Sequence, residues 1–222
     1  MGKYKYIAES FGTFMLVIMG CGAIIVNDIY FGALGNIGVS LIFGLTVMSA
    51  IYILGHISGA HINPAVTIGL YFADRIPKKI IIPFVSSQIF GAIIASFVLK
   101  VLFPQHENLG ATISSVSIKN TFILETFLSF FLMCIILVSS KKIFKDKNLS
   151  GVIIGTTITL EAFLFGSLTG ASMNPARSIG PALVSGNFNM IWIYITAPVL
   201  GTSLASIVLR LNAAVFARSV KI

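Results

Sequence analysis

The phrase Gly59-Ala60-His61-Ile62-Asn63-Pro64-Ala65 returns as Gly170-Ala171-Ser172-Met173-Asn174-Pro175-Ala176, 111 positions later (174 minus 63) in a chain of 222 residues. In each copy asparagine stands where a helix wants its N-cap. Proline follows at the first helical position, where its missing N–H leaves no donor unsatisfied. Each copy therefore reads as an extended stretch entering a short helix. Two such breaks, half a chain apart among apolar segments, predict an internally duplicated membrane protein. Interrupted segments in matching positions of two halves mark a transport path.

Composition supports the membrane reading. The chain is 56% hydrophobic and 10% charged, and its apolar residues fall in six blocks: Ile7–Val26, Ile37–Leu54, Ile80–Phe103, Phe122–Val138, Val152–Leu168 and Met190–Leu209. Each lies near the roughly 20 residues that cross a hydrocarbon core. The first block follows Lys3 and Lys5 as a signal peptide would, but it carries Glu9 and no convincing cleavage site follows, so it reads as a span. A formal net charge of +8 could serve nucleic acid or a membrane face, and its distribution decides. With the N-terminus in the cytoplasm, Lys3, Lys5, Arg75, Lys78, Lys79, Lys141, Lys142, Lys145, Lys147, Arg210, Arg218 and Lys221 fall inside. That leaves Lys100, Lys119 and Arg177 of the 15 cations. The positive-inside rule then puts both termini in the cytoplasm; the partner is the lipid bilayer, with no nucleic acid. Cys21 and Cys134 fall within spans and read as small packing residues.

The duplication extends to Ala8-Glu9-Ser10-Phe11-Gly12-Thr13-Phe14 and Leu124-Glu125-Thr126-Phe127-Leu128-Ser129-Phe130. The chain thus reads as one channel domain over 1–222, with halves of approximately 1–108 and 109–222. Each half holds three spans and one re-entrant piece, and an odd number of spans inverts the second half against the first. Gly55–Ile62 and Leu168–Met173 are expected as the loops dipping into the membrane, where irregular backbone survives only buried or beside a wet path. The expected fold is all-α, with six transmembrane helices and two re-entrant half-helices. Gly91/Ala95 and Gly201/Ala205 suit close helix crossings. His56 and His61 are spaced poorly for a helical metal pair, and no nucleophile–base pair is evident. No metal, cofactor or enzymatic activity is expected.

Paired Asn63-Pro64-Ala65 and Asn174-Pro175-Ala176, Arg177 after the second, Gly55-His56-Ile57-Ser58-Gly59 and the twin glutamates together resemble the aquaporin (major intrinsic protein) family over nearly the whole chain. The resemblance implies a homotetramer with one pore per subunit and passive conduction. Asn63, Pro64, Ala65, Asn174, Pro175 and Ala176 would form the pore centre. There two half-helix N-termini carry roughly half a positive charge each, and the asparagine amides, free beyond their capping role, offer N–H donors. It implies a selectivity filter at Phe43, Ala162, Ala171 and Arg177. Water-selective members typically have histidine where this chain has Ala162, so the constriction should be wider than one water. The small residues and the Gly170-Ala171-Ser172-Met173-Asn174-Pro175-Ala176-Arg177-Ser178 run resemble the nodulin-like branch, associated with glycerol, urea and neutral metalloid hydroxides such as boric, arsenous and silicic acids. Ions and protons would be excluded.

By the same resemblance Gly59, Ala60, His61, Gly170 and Ser172 supply pore-lining backbone, and Glu9 and Glu125 hold the loops. Glu161, next to Ala162, either accepts from loop groups or water near the filter, or faces a polar crevice. A water-selective pore is the alternative within the channel class. An ion-coupled transporter, which also uses broken helices, lacks candidate coupling charges here, and a membrane adhesion protein would need larger outer loops. Short loops and termini suggest a prokaryotic inner membrane.

Overall fold

A computed structural model describes residues 2–140 and 147–219, by backbone alone at 147–148 and 212–219. Of the cations used above, Lys141, Lys142, Lys145 and Lys221 lie outside the described residues, as do the side chains of Lys147 and Arg218. Six helices are long and apolar enough to cross a membrane: α1 (Tyr4–Ile29), α2 (Gly35–Ser58), α4 (Ile81–Leu102), α5 (Ile118–Ser139), α6 (Lys147–Thr169) and α8 (Ile191–Ser219). Between them lie α3 (Pro64–Phe72) and α7 (Pro175–Ser185). At 9 and 11 residues and ~1.5 Å per residue, these two together span about one ~30 Å hydrocarbon core.

The short helices start where the sequence says they should. Asn63 and Asn174 have extended backbone, and each side-chain oxygen accepts from the two N–H groups that open its helix. The loops before them are shorter than expected. α2 runs on through Gly55-His56-Ile57-Ser58, and α6 through Leu168 and Thr169. Gly59 and Gly170, at φ +96° and +83°, then end those helices in the left-handed region, donating to the Gly55 and Gly166 carbonyls. A glycine there is the usual helix stop, so the re-entrant backbone shrinks to 59–63 and 170–174. Arg75, Lys78 and Lys79 follow α3, yet the cation that reaches its last carbonyls is Arg210 of α8, 3.5 Å from the Phe72 oxygen and paired with Asp74 at 2.8 Å.

Helices α1 and α4 pack as a pair, as do α5 and α8, while α2 crosses α6. The half-helices exchange sides: α3 lies on α8 and α7 on α4, so each half of the chain holds the other's insert. Three glycines allow the crossings. A Cβ on Gly91 would overlap the Ser10 carbonyl, one on Gly201 the Thr126 carbonyl, and one on Gly44 the Thr159 hydroxyl and Gly155 carbonyl. The three carbonyls are backbone and cannot yield without parting the helices. By contrast a Cβ on Gly166 would meet only the Asn36 side chain, at 3.7 Å. Gly201→Ala should therefore lower the thermal midpoint of the detergent-solubilised protein by several degrees, while Gly166→Ala leaves it unchanged or raises it through better helix propensity.

Candidate functional site

Backbone at membrane depth has no water to bond, so every N–H of a broken segment needs an acceptor. In the first loop Glu9 provides it. Its Oε1 accepts from the Ser58 hydroxyl at 2.6 Å and the His61 N–H at 2.9 Å; its Oε2 accepts from the Ile62 N–H and the Gln88 amide, both at 2.7 Å. In the second, Glu125 Oε1 accepts from the Thr169 hydroxyl at 2.8 Å and the Ser172 N–H at 2.9 Å, and Oε2 from the Met173 N–H at 3.0 Å. Hydroxyls take three further loop N–H groups: Ala60 donates to Ser58 at 3.0 Å, Ala171 to Thr169 at 3.1 Å and Asn174 to Ser172 at 3.3 Å.

Both loops are twisted to fit. Ala60 and Ile62 have φ of +48° and +44°, Ala171 and Met173 of +38° and +51°. Non-glycine residues in that region carry strain of about 1–3 kcal/mol each and persist only where surroundings over-determine them. The glutamates supply that determination. Glu161 does not. It is 5% exposed, neither oxygen has a hydrogen-bond partner among the described residues, and it lines neither cavity described below. The N–H groups it was expected to hold are already bonded to Glu125 and Thr169, which removes Glu161 from the loop-supporting set.

The loops meet through the two asparagines. Asn63 Nδ2 donates to the Met173 carbonyl at 2.7 Å, and Asn174 Nδ2 to the Ile62 carbonyl at 2.9 Å. The amides were expected to be free for solute. Each in fact spends one of its two N–H donors locking the opposite loop, which leaves one. Both asparagines line an elongated inner cavity, together with Gly59, Ala60, His61 and Ser172, facing an apolar wall that includes Val47, Ile136 and Ile158. Pro64, Ala65, Pro175 and Ala176 line neither cavity and lie behind the wall. The Ala65 carbonyl accepts from Thr202 at 2.8 Å, and Ala176 packs among Val17, Cys21 and Ala92. Proline and alanine set the helix start; asparagine alone faces the space. The His61 ring bonds Thr67 at 3.2 Å and packs on Phe84, while His56 is exposed on α2.

A second, outer cavity is polar, lined by Asp28, Asn36, His106, Asn108 and Gly170 among others. Four residues line both cavities: Phe43, Ala162, Ala171 and Arg177. The two spaces therefore meet at the ring picked out from the sequence. Arg177 is 2% exposed; its Nη1 donates to the Gly110 carbonyl at 2.9 Å, and its guanidinium lies 5.2 Å from the Phe43 ring centre. The polar segment 103–117, between α4 and α5, clamps the second loop through Gly110 on Arg177, Thr112 on Ser178 at 3.1 Å and the Ser115 N–H on the Leu168 carbonyl at 2.9 Å. Leu109, fully buried in a polar stretch, was the one available sign. Gln88, which links Glu9 to Thr67 at 3.0 Å, gave none.

The comparisons with known proteins agree with this geometry. The family model described as major intrinsic protein matches residues 2–209. The chain is 41% identical over 198 residues to aquaporin NIP1-1 of Zea mays, covering 89% of this chain and 70% of that one. It is 38% identical over 198 residues to nodulin-26 of Glycine max, covering 89% of this chain and 73% of that one. Among solved structures, the aquaglyceroporin from Plasmodium falciparum superposes with a TM-score of 0.83 at 26% identity, covering 91% of this chain and 93% of that one.

The glutamates generate a comparative test. Glu9→Gln and Glu125→Gln each replace an acceptor oxygen by an NH₂ that faces donors, losing charge-assisted bonds of about 1.5–3 kcal/mol each. Both should sharply lower the thermal midpoint and the yield of folded protein. Glu161→Gln, which removes a buried carboxyl with no partner, should leave both unchanged or improved.

Proposed function

The chain belongs to the major intrinsic protein family of membrane channels, and from that premise we propose that it is a passive pore for water and small uncharged solutes with its filter at Phe43, Ala162, Ala171 and Arg177. It is an integral membrane channel, not an enzyme. One observation carries the filter assignment: among the described residues, these four and no others line both the inner and the outer cavity. With alanine at two of the four positions, the aperture is bounded by one aromatic face and one guanidinium. That suits glycerol, urea and the neutral hydroxides of boron, arsenic and silicon, which have hydroxyl or carbonyl oxygens to accept from Arg177 and an apolar or flat side to lay on Phe43.

Exclusion of ions follows from the charges. A cation meets the fixed charge of Arg177 and then the positive ends of α3 and α7. The same centre, with one free N–H on each of Asn63 and Asn174, offers two donors to a passing oxygen. A water that accepts from both is held with its own hydrogens pointing away, which interrupts a proton-conducting chain. We also assign the inverted halves to approximately 1–108 and 109–222, both termini to the cytoplasm on the distribution of basic residues, and a homotetrameric assembly. The two sequence relatives named above are plant proteins, which lends no support to a prokaryotic inner membrane.

Purified protein reconstituted in vesicles and followed by light scattering tests the assignment with water, glycerol, urea and boric acid. Wild-type vesicles should pass water and at least one of the larger solutes without any ion gradient. Ala162→His adds a ring to the aperture and should reduce glycerol permeability several-fold more than water permeability. Equal loss of both would contradict the filter.

A further inference from the structure

Helix α1 presents a regular stripe toward the pathway. Leu16 lines the inner cavity and Ile24 the outer one. Gly20, four residues from each and therefore on the same face, lines neither. Its place on the wall is taken by Phe43: a Cβ on Gly20 would collide with three atoms of that ring, two of them at 2.5 and 2.6 Å. Glycine inside a helix is destabilising relative to alanine by roughly 0.5–1 kcal/mol, so a specific contact has to justify it. The next residue makes a second one. Gly110, at φ +67°, lies so close to Cys21 that its Cβ would sit 2.6 Å from the Cys21 carbonyl oxygen and 2.9 Å from its Cα. Gly110 is the residue whose carbonyl holds Arg177.

We propose that the Gly20-Cys21 step of α1, which touches no solute, sets the aperture of the filter by seating two of its four sides: the Phe43 ring on the bare Cα of Gly20, and Arg177 through Gly110 on the backbone of Cys21. Because Phe43 lies between α1 and the pathway, with the Arg177 guanidinium 5.2 Å from its centre, the ring can leave a side chain at position 20 only by moving toward the lumen. Solute size selection is then governed from behind the wall. This rests on the filter reading given above.

The test is the ratio of glycerol to water permeability in reconstituted vesicles. Gly20→Ala should lower that ratio several-fold, and adding Phe43→Leu, which withdraws the ring, should restore it. Gly22→Ala, two positions on, is the control: its Cβ would meet only Leu99, at 3.4 Å, and the ratio should stay at the wild-type value. A ratio unchanged in Gly20→Ala, or a loss that Phe43→Leu does not restore, overturns the proposal. Should Gly20→Ala fail to accumulate, folding of the Gly20→Ala/Phe43→Leu double variant supports the clash and its failure overturns it. A crystal structure of Gly20→Ala separates this inference from the filter reading. A displaced Phe43 ring upholds it even if wild-type vesicles exclude glycerol, and a ring in its original place overturns it whatever solutes pass.

Discussion

A carboxylate buried against a broken stretch of backbone is the interaction on which the rest of this structure depends. A helix satisfies its own N–H and C=O groups, and lipid demands that satisfaction. Four or five residues of non-helical chain at mid-membrane break the rule, and in each half one glutamate restores it by accepting two backbone N–H groups and one hydroxyl. Only a charged group with two oxygens can accept that many donors in that geometry. Remove it and the left-handed residues of the loop lose what holds them, the half-helices lose their starting positions, and the cavity between them loses one side.

The asparagines show how the same economy extends to the centre. Each amide oxygen caps its own helix, while one amide N–H fastens the opposite loop. The tips of α3 and α7 are therefore tied to each other rather than merely adjacent. Two positive helix ends repel, and hydrogen bonds running both ways across the junction offset that repulsion. The remaining amide N–H of each planar group is fixed in direction by the bonds already made.

Much of this was legible in the sequence because it is local. Asparagine before proline fixes a helix start, apolar blocks fix the spans, and the repeat spacing fixes which residues correspond. What escaped was non-local or turned on one dihedral. α2 and α6 run past their expected ends because Gly59 and Gly170 cap them in the left-handed region, and a run of small and polar residues reads as loop until that conformation is known. The tie from Asn63 to Met173 joins residues 110 apart. The hold of segment 103–117 on the second loop is invisible in the sequence because backbone carbonyls, Gly110 above all, take part in it, and a carbonyl leaves no mark in the residue code. Glu161 drew notice as a charge in a span; which acceptor the loops actually use is a matter of side-chain reach that spacing does not encode.

The internal repeat also bears on the proposed pore, because its two halves differ in the residues they place on the wall. Gly44 and Gly155 cross each other and lie 111 positions apart (155 minus 44), the same interval as Asn63 to Asn174. Carrying Phe43, Ala162, Ala171 and Arg177 through that interval lands on Ile154, Ile51, Ala60 and Val66. All four images line the inner cavity. The repeat thus offers two corresponding sets of wall positions, and the sequence furnishes them differently: a guanidinium and an aromatic face in one, aliphatic side chains in the other. In the proposed pore, a solute that has given up water to Arg177 and the amides then travels beside a wall with few polar groups to bind it. Strong binding at both sets would trap it. Donors concentrated on one side of the centre, with little to hold the solute on the other, are what allow a narrow passage to select and still release.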